Sequence, residues 1–290
     1  MKRSLLLLTL AGLLPGCEVV EAILNGLGAL KAQPQFALAR VVPIAGGSPG
    51  DLTVEVRLGT VTAPGRAHLF GPIRPKPTAY THEPRLLWDG TGARLAVALR
   101  EEFFGGFDDW IYVYDVNENE EFFGSDDTMG TAMSTGCAPL DAPSLQAAAD
   151  QSIAEGFIPA GSVAKMRPGT GIIQGAGLTG WLSPRAFAMT LYHEPRVFAL
   201  APDGTEHDLA VLTGSPTLGA FVTISAVFTK AGSGWTASGC ALVPPAIPAR
   251  PAPHPAVTVD ASGRLRADGV ALNDQTGAAI GGVEAADGSY

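Results

Sequence analysis

Glycine and proline break the apolar runs of this chain into short pieces, and that punctuation constrains its fold more than any other feature. There are 36 Gly and 23 Pro among 290 residues, below the level of a low-complexity chain. Hydrophobic residues at 46% still supply material for cores. Short apolar runs bounded by turn formers read as strands. Asp51 to Gly59 alternates apolar and polar positions, and so do Arg94 to Leu99 and Trp110 to Asp115. Phe221 to Thr229 is an apolar, β-branched run with the character of a core strand. Pro72, Pro75 and Pro77 make residues 71–78 an irregular connection or a sheet edge. Asp141 to Gly156 has helix chemistry instead. Asp141 or Ser144 can cap it, Pro143 suits its first turn, and Gly156 suits its end. The expected fold class is all-β, with two β-sandwich-like units and one linker helix.

The two β regions echo each other. His82-Glu83-Pro84-Arg85 recurs as His193-Glu194-Pro195-Arg196, and Asp89-Gly90-Thr91 as Asp203-Gly204-Thr205. Leu95-Ala96-Val97 matches Leu209-Ala210-Val211, and Ser134-Thr135-Gly136-Cys137 parallels Ala237-Ser238-Gly239-Cys240. Matches in one order suggest a duplicated unit of about 100 residues; the other reading is coincidence among turn-rich segments.

The N-terminus carries a different signal. Lys2 and Arg3 form a basic head, Leu5 to Leu14 is an apolar run, and Leu14-Pro15-Gly16-Cys17 closes it. That is the order of a secretory signal peptide. Its ending resembles the lipobox of bacterial lipoproteins, from which it departs at Pro15. The resemblance implies that Cys17 receives a diacylglyceryl group, that the preceding peptide is removed, and that the new N-terminus is acylated, with palmitate as a typical chain. It also implies outer-membrane delivery where the cell has one, since Glu18 is not the Asp that marks inner-membrane retention. No later segment approaches the roughly 18 apolar residues of a transmembrane helix, so membrane attachment rests on lipid. The residues that follow, 18–32, place Val20, Ile23, Leu24, Leu27 and Leu30 at helical spacing. They read as an interfacial helix or as a loose tether.

The expected organisation is therefore a signal peptide at 1–16, a lipidated Cys and tether at 17–35, and a first β domain at 36–140. A linker helix follows at 141–157, then a second β domain at 158–243, a Pro-rich spacer at 244–256 and a C-terminal hairpin and tail at 257–290. With Cys17 assigned to lipid, Cys137 and Cys240 remain. In an oxidising compartment one disulfide between them is the economical reading, and two buried thiols the other.

The formal net charge is −9. Between Glu101 and Asp127 stand ten carboxylates and no Lys or Arg. This field disfavours nucleic acid and favours a cation or a basic protein partner. Trp110 to Asp115 reads as a strand about 20 Å long, which sets Asp108-Asp109 and the residues after Asp115 in loops at opposite ends. In the second loop Asp115, Asn117, Asn119, Glu121 and Asp126 fall at positions 1, 3, 5, 7 and 12 of a calcium loop, all oxygen donors. Position 6 is Glu120 rather than Gly, and a strand, not a helix, leads in. The stretch from Trp110 through Asp115-Val116-Asn117 to Asp126-Asp127-Thr128-Met129-Gly130 resembles the third loop of the calcium- and phospholipid-binding β-sandwich of the protein kinase C type. The resemblance implies Asp115, Asn117 and Asp127 as calcium ligands, but no Asp pair stands where that family's first loop supplies its own. A solvated acidic face is the alternative.

Catalytic signatures fail on context. In Gly46-Gly47-Ser48-Pro49-Gly50 the residue after Ser48 has no N–H for an oxyanion. Ser162 and Lys165 have Pro168-Gly169 too close for a shared helix. Gly175 to Gly180 matches a dinucleotide fingerprint with no helix to follow. The His-Glu pairs lack H-E-x-x-H spacing and read as structural turns with Glu and Arg pairing at the surface. The sequence thus reads as a lipid-anchored envelope protein with a binding or structural role, not an enzyme, and with calcium dependence if the acidic loop holds an ion. The rival is an envelope hydrolase that joins His82 or His193 to a Ser and a carboxylate.

Overall fold

The structure is a computed structural model. It describes residues 34–48, 51–75, 81–103, 106–116, 120–214, 222–232, 234–249 and 255–288. The signal peptide, Cys17, the tether, Asn117 and Asn119 lie outside them. Residues Pro34–Tyr290 form one compact unit, and it is all-β, as the punctuation of the sequence requires.

In chain order, β1 (Phe36–Pro43), β2 (Leu52–Ala63) and β3 (Arg66–Ile73) open the first sheet. Next come β4 (Thr81–Trp88), β5 (Arg94–Phe103), β6 (Gly106–Asp115) and β7 (Glu120–Ser125), which make a four-stranded meander, the middle sheet. Helix α1 (Asp126–Gly136) leads to β8 (Leu140–Asp141), a 3₁₀ turn (Pro143–Leu145) and α2 (Gln146–Ala154). The large sheet then takes β9 (Val163–Ser183), β10 (Ala186–Leu200), β11 (Glu206–Asp208), β12 (Val222–Ala231) and β13 (Gly234–Ala241), with α3 (Leu209–Thr213) between β11 and β12. A small sheet follows from β14 (Val257–Val259), β15 (Leu265–Ala267) and β16 (Val270–Ala271). Finally β17 (Ala285–Gly288) returns to pair with β1, giving the first sheet the order β17-β1-β2-β3.

Side-chain alternation explains how the sheets stack. On β5, Leu95, Val97 and Leu99 face Ala37, Ala39, Val54 and Val56 of the first sheet. The intervening Ala96 and Ala98, with Ile111 and Val113 of β6, face the large sheet. The middle sheet is therefore buried on both faces, and its small alanines sit across from bulky partners. Trp181, Phe187, Phe228 and Trp235 form an aromatic cluster there, with Phe187 and Phe228 stacked at 5.4 Å between ring centres. Each such pair is worth about 0.5–1.5 kcal/mol beyond its burial. Phe36 and Leu38 point the other way from β1, into a core with Val257, Leu265 and Leu272 of the C-terminal segment. Small sheet, first sheet, middle sheet and large sheet thus stack in that order around three cores. A fourth core lies under the helices, where Ala149 and Leu209 meet Val197 and Ala199.

Several expectations are met. The first three alternating stretches lie in β2, β5 and β6, and residues 222–229 of the apolar run fall on β12 in the interior of the large sheet. Residues 71–73 finish β3, an edge strand. The expected linker helix is the 3₁₀ turn plus α2, and Val257 to Leu272 is the expected hairpin.

Others are corrected. The two β regions do not form two separate sandwiches; the middle and large sheets share one core. β6 begins at Gly106, so Asp108 and Asp109 stand in a strand, not a loop. Helix α1 occupies residues read as the end of a calcium loop; Met129 and Met133, four apart and so on one face, are its buried side chains. Residues 285–288 are a paired strand, not a tail. The sequence echoes also resolve into local devices. Both His-Glu-Pro-Arg copies lie within strands, at register slips before Arg85 and Pro195, because proline has no N–H to give the ladder. Asp89 and Asp203 each accept the N–H two residues on, in a turn. Beyond that the copies part: Leu95-Ala96-Val97 is strand while Leu209-Ala210-Val211 is helix, and Cys137 follows a helix while Cys240 sits in a strand.

Candidate functional site

The acidic hairpin is built by register. β5 and β6 pair so that Arg94 lies opposite Asp115, Arg100 opposite Asp109 and Glu101 opposite Asp108. Arg94 Nη2 stands 2.7 Å from Asp115 Oδ2, with Asp115 almost wholly buried. The same guanidinium donates Nη1 to the Pro184 carbonyl in the β9–β10 turn, so it ties the middle sheet to the large one. Arg100 grips Asp109 with two hydrogen bonds, Nε to Oδ1 at 2.7 Å and Nη2 to Oδ2 at 3.0 Å. Trp110 donates its indole N–H to Glu101 at 3.2 Å. Three members of the acidic run are thus anchored by neighbours, two of them by arginines that precede the run in sequence.

Of the six residues read as calcium ligands, Asp115 is the one whose side chain is described, and it holds Arg94. Glu121 lies on β7, while Asp126 and Asp127 open α1; their side chains, like Asn117 and Asn119, lie outside the described residues. Among the described residues, no cluster of three or more His, Cys, Asp or Glu is placed to hold a metal ion. His82 and His193 stand in different sheets, on β4 and β10, and their side chains too lie outside the described residues. The arginines of the two motifs have partners outside them. Arg85 donates to the Leu178 carbonyl at 2.7 Å, and Arg196 pairs with Glu206. Ser162 donates to the Pro159 carbonyl while Lys165 pairs with Asp141 from β9, so S-x-x-K has no helix to stand on.

Cys137 and Cys240 meet as a disulfide, their Cα atoms 5.4 Å apart across 103 residues of sequence. The bond staples the end of α1 to β13. Gly136 makes the approach feasible, since a Cβ there would lie 2.4 Å from the Ala237 carbonyl oxygen.

Sequence reasoning missed a groove where the middle and large sheets meet. It has a volume of about 340 Å³ and is walled by Leu87, Trp88, Trp181, Leu182, Pro184 and Ile247. Trp181 donates its indole N–H to the Leu87 carbonyl at 2.9 Å, which fixes one wall. Residues 244–249 run beside it, and Ile247 reaches so close to Gly180 that a Cβ there would be 2.8 Å from Ile247 Cγ2. Mostly apolar walls with a few polar groups at the rim are the make-up of a small-molecule site. The signal available in sequence was the scarcity of tryptophan, four in 290 residues, two of which line this groove. Among the described residues no helix is long and apolar enough to cross a membrane. No protein-family model, curated protein or solved structure matches the chain.

Proposed function

We propose that this chain is a lipid-anchored cell-envelope protein whose β stack binds or braces a partner and carries out no reaction. The observation that carries the reading is the Cys137–Cys240 pair, a bond suited to an oxidising compartment. The lipobox-like start, Leu14 to Cys17, supplies the anchor. One acyl chain alone holds a protein only weakly, whereas the several chains of a lipidated N-terminal Cys hold it firmly. The membrane is then the first partner, through lipid and not through a helix. A small apolar ligand or a protein segment in the groove beside Trp181 is the second, and the acidic surface argues against nucleic acid. In a cell with two membranes the outer one is the destination.

Expression in a bacterium fed labelled palmitate tests the anchor. Label should enter the full chain and stay with the membrane fraction in low detergent. Cys17→Ala should carry no label and appear among soluble envelope proteins. Unlabelled wild-type chain would sink the reading.

A further inference from the structure

On the face of the first sheet that carries Phe36 and Leu38, three arginines gather around a single glutamate. Glu55, on β2, is nearly buried, and its Oε1 accepts from three guanidinium N–H groups. Arg40 donates from Nη2 at 2.7 Å and Nε at 3.2 Å, and Arg57 donates from Nε at 2.8 Å. Arg74 Nη2 stands 3.6 Å from Oε2. Three cations thus converge on one anion. The cluster carries a surplus of two charges, while each arginine keeps 30% or more of its side chain exposed.

A single arginine would neutralise Glu55. A second and a third repel the first unless something else compensates them. Arg40 and Arg57 also wall a groove of about 190 Å³ with Leu38, Leu69, Ile280 and Val283. Asp274 stands in that wall as well. One of its oxygens is occupied by the backbone N–H groups of Thr276 and Ala278 and by the Thr276 hydroxyl. Counting it, the five side chains Arg40, Arg57, Arg74, Glu55 and Asp274 sum to plus one. Because Arg57 meets Glu55 through Nε, its two terminal nitrogens have no partner among the described residues. Glu55 therefore acts as a jig, fixing guanidinium planes whose outer N–H groups match a second oxyanion in forked geometry.

We propose that Arg40 and Arg57, held by Glu55, form with the nearby Arg74 a binding site for a phosphate oxyanion. Inorganic phosphate, soluble phosphate esters and phospholipid headgroups share that chemistry. The inference is independent of the lipid anchor, and its failure leaves the anchor untouched.

The test uses the chain from residue 18 onward at low ionic strength. It is melted with inorganic phosphate in the low millimolar range, against chloride at equal ionic strength. Phosphate should raise the transition specifically, and Arg57→Gln should weaken its affinity about ten-fold or more, as loss of a charged hydrogen bond does. Arg74→Gln, at an exposed position outside hydrogen-bond range of Glu55, guards against a folding artefact and should also weaken binding. Sedimentation with phosphatidylglycerol or phosphatidylcholine vesicles separates the sources. Vesicle binding competed by phosphate assigns a headgroup, and phosphate binding without vesicle binding assigns a soluble ligand. A phosphate response equal to that of chloride, or one retained in both arginine variants, overturns the site.

Discussion

Replacing Asp115 with Asn separates the two roles this residue could have. As a structural anion it neutralises Arg94, whose side chain is 12% exposed while that of Asp115 is 4% exposed. Removing one partner of a buried pair leaves an uncompensated charge and costs about 3–5 kcal/mol. Arg94 keeps its bond to the Pro184 carbonyl, which places the expected loss near the lower end, about 3 kcal/mol. For a unit of this size that lowers the thermal midpoint by roughly 6–12 °C. Urea denaturation of the chain from residue 18 onward, followed by tryptophan fluorescence, measures the loss. Arg94→Met and the double variant complete a cycle, with an expected coupling of about 2 kcal/mol. The experiment is run in EDTA, in magnesium and in calcium, and the loss should be the same in all three. A cost under about 0.5 kcal/mol, or one that appears in calcium and vanishes in EDTA, would refute the argument and return Asp115 to an ion.

Three further outcomes follow from the geometry. Cys137→Ser with Cys240→Ser should destabilise by up to about 4–5 kcal/mol, the loop-closure value for a ring of this length, and wild type in reductant should melt with the double variant. Gly136→Ala drives a methyl into the Ala237 carbonyl at 2.4 Å; overpacking of this kind costs about 1–3 kcal/mol, readable as a lower urea midpoint. Burial alone would raise the Glu55 carboxyl, but hydrogen bonds from Arg57 and Arg40, with their charge, outweigh it and hold the group below its ordinary 4.5. A lowered carboxyl contributes stability above its unfolded value that disappears as pH falls through its folded value. Wild type should therefore lose stability below pH 4.5 more steeply than Glu55→Gln, and parallel slopes in acid denaturation would contradict the Arg40–Glu55–Arg57 linkage.

Much of the sheet content was legible because alternation is a local signal. Leu95, Val97 and Leu99 announce a face without reference to the rest of the chain. What the sequence concealed is that Ala96 and Ala98 are a face as well; small residues look like the solvent side of a strand until aromatic rings arrive opposite. Helix α1 was hidden for a related reason. Its eleven residues carry Asp, Thr, Ser and Gly, and its apolar face rests chiefly on Met129 and Met133, with Ala132 packed beside them. Met129 and Met133, an i, i+4 pair, were the clue. The acidic run looked uncompensated because its cations lie upstream. Pairing Phe103 with Gly106 and folding the chain back on itself sets Arg100 against Asp109 and Arg94 against Asp115, so the pairing depends on knowing one register. The arginine cluster around Glu55 is of the same kind: Arg40 reaches Glu55 only through the β1–β2 register.

The return of β17 to β1 has a consequence for biogenesis. A chain is made N-terminus first, so β1 is complete long before β17, one of its two neighbours. Until residues 285–288 arrive, a row of backbone donors and acceptors along β1 stays open to any passing strand. Asp287 then both fills that edge and accepts the Trp88 backbone N–H at 2.8 Å, joining the first sheet to the middle one. The late strand thus works as a clasp, and whatever shields β1 until then has to let go at that moment.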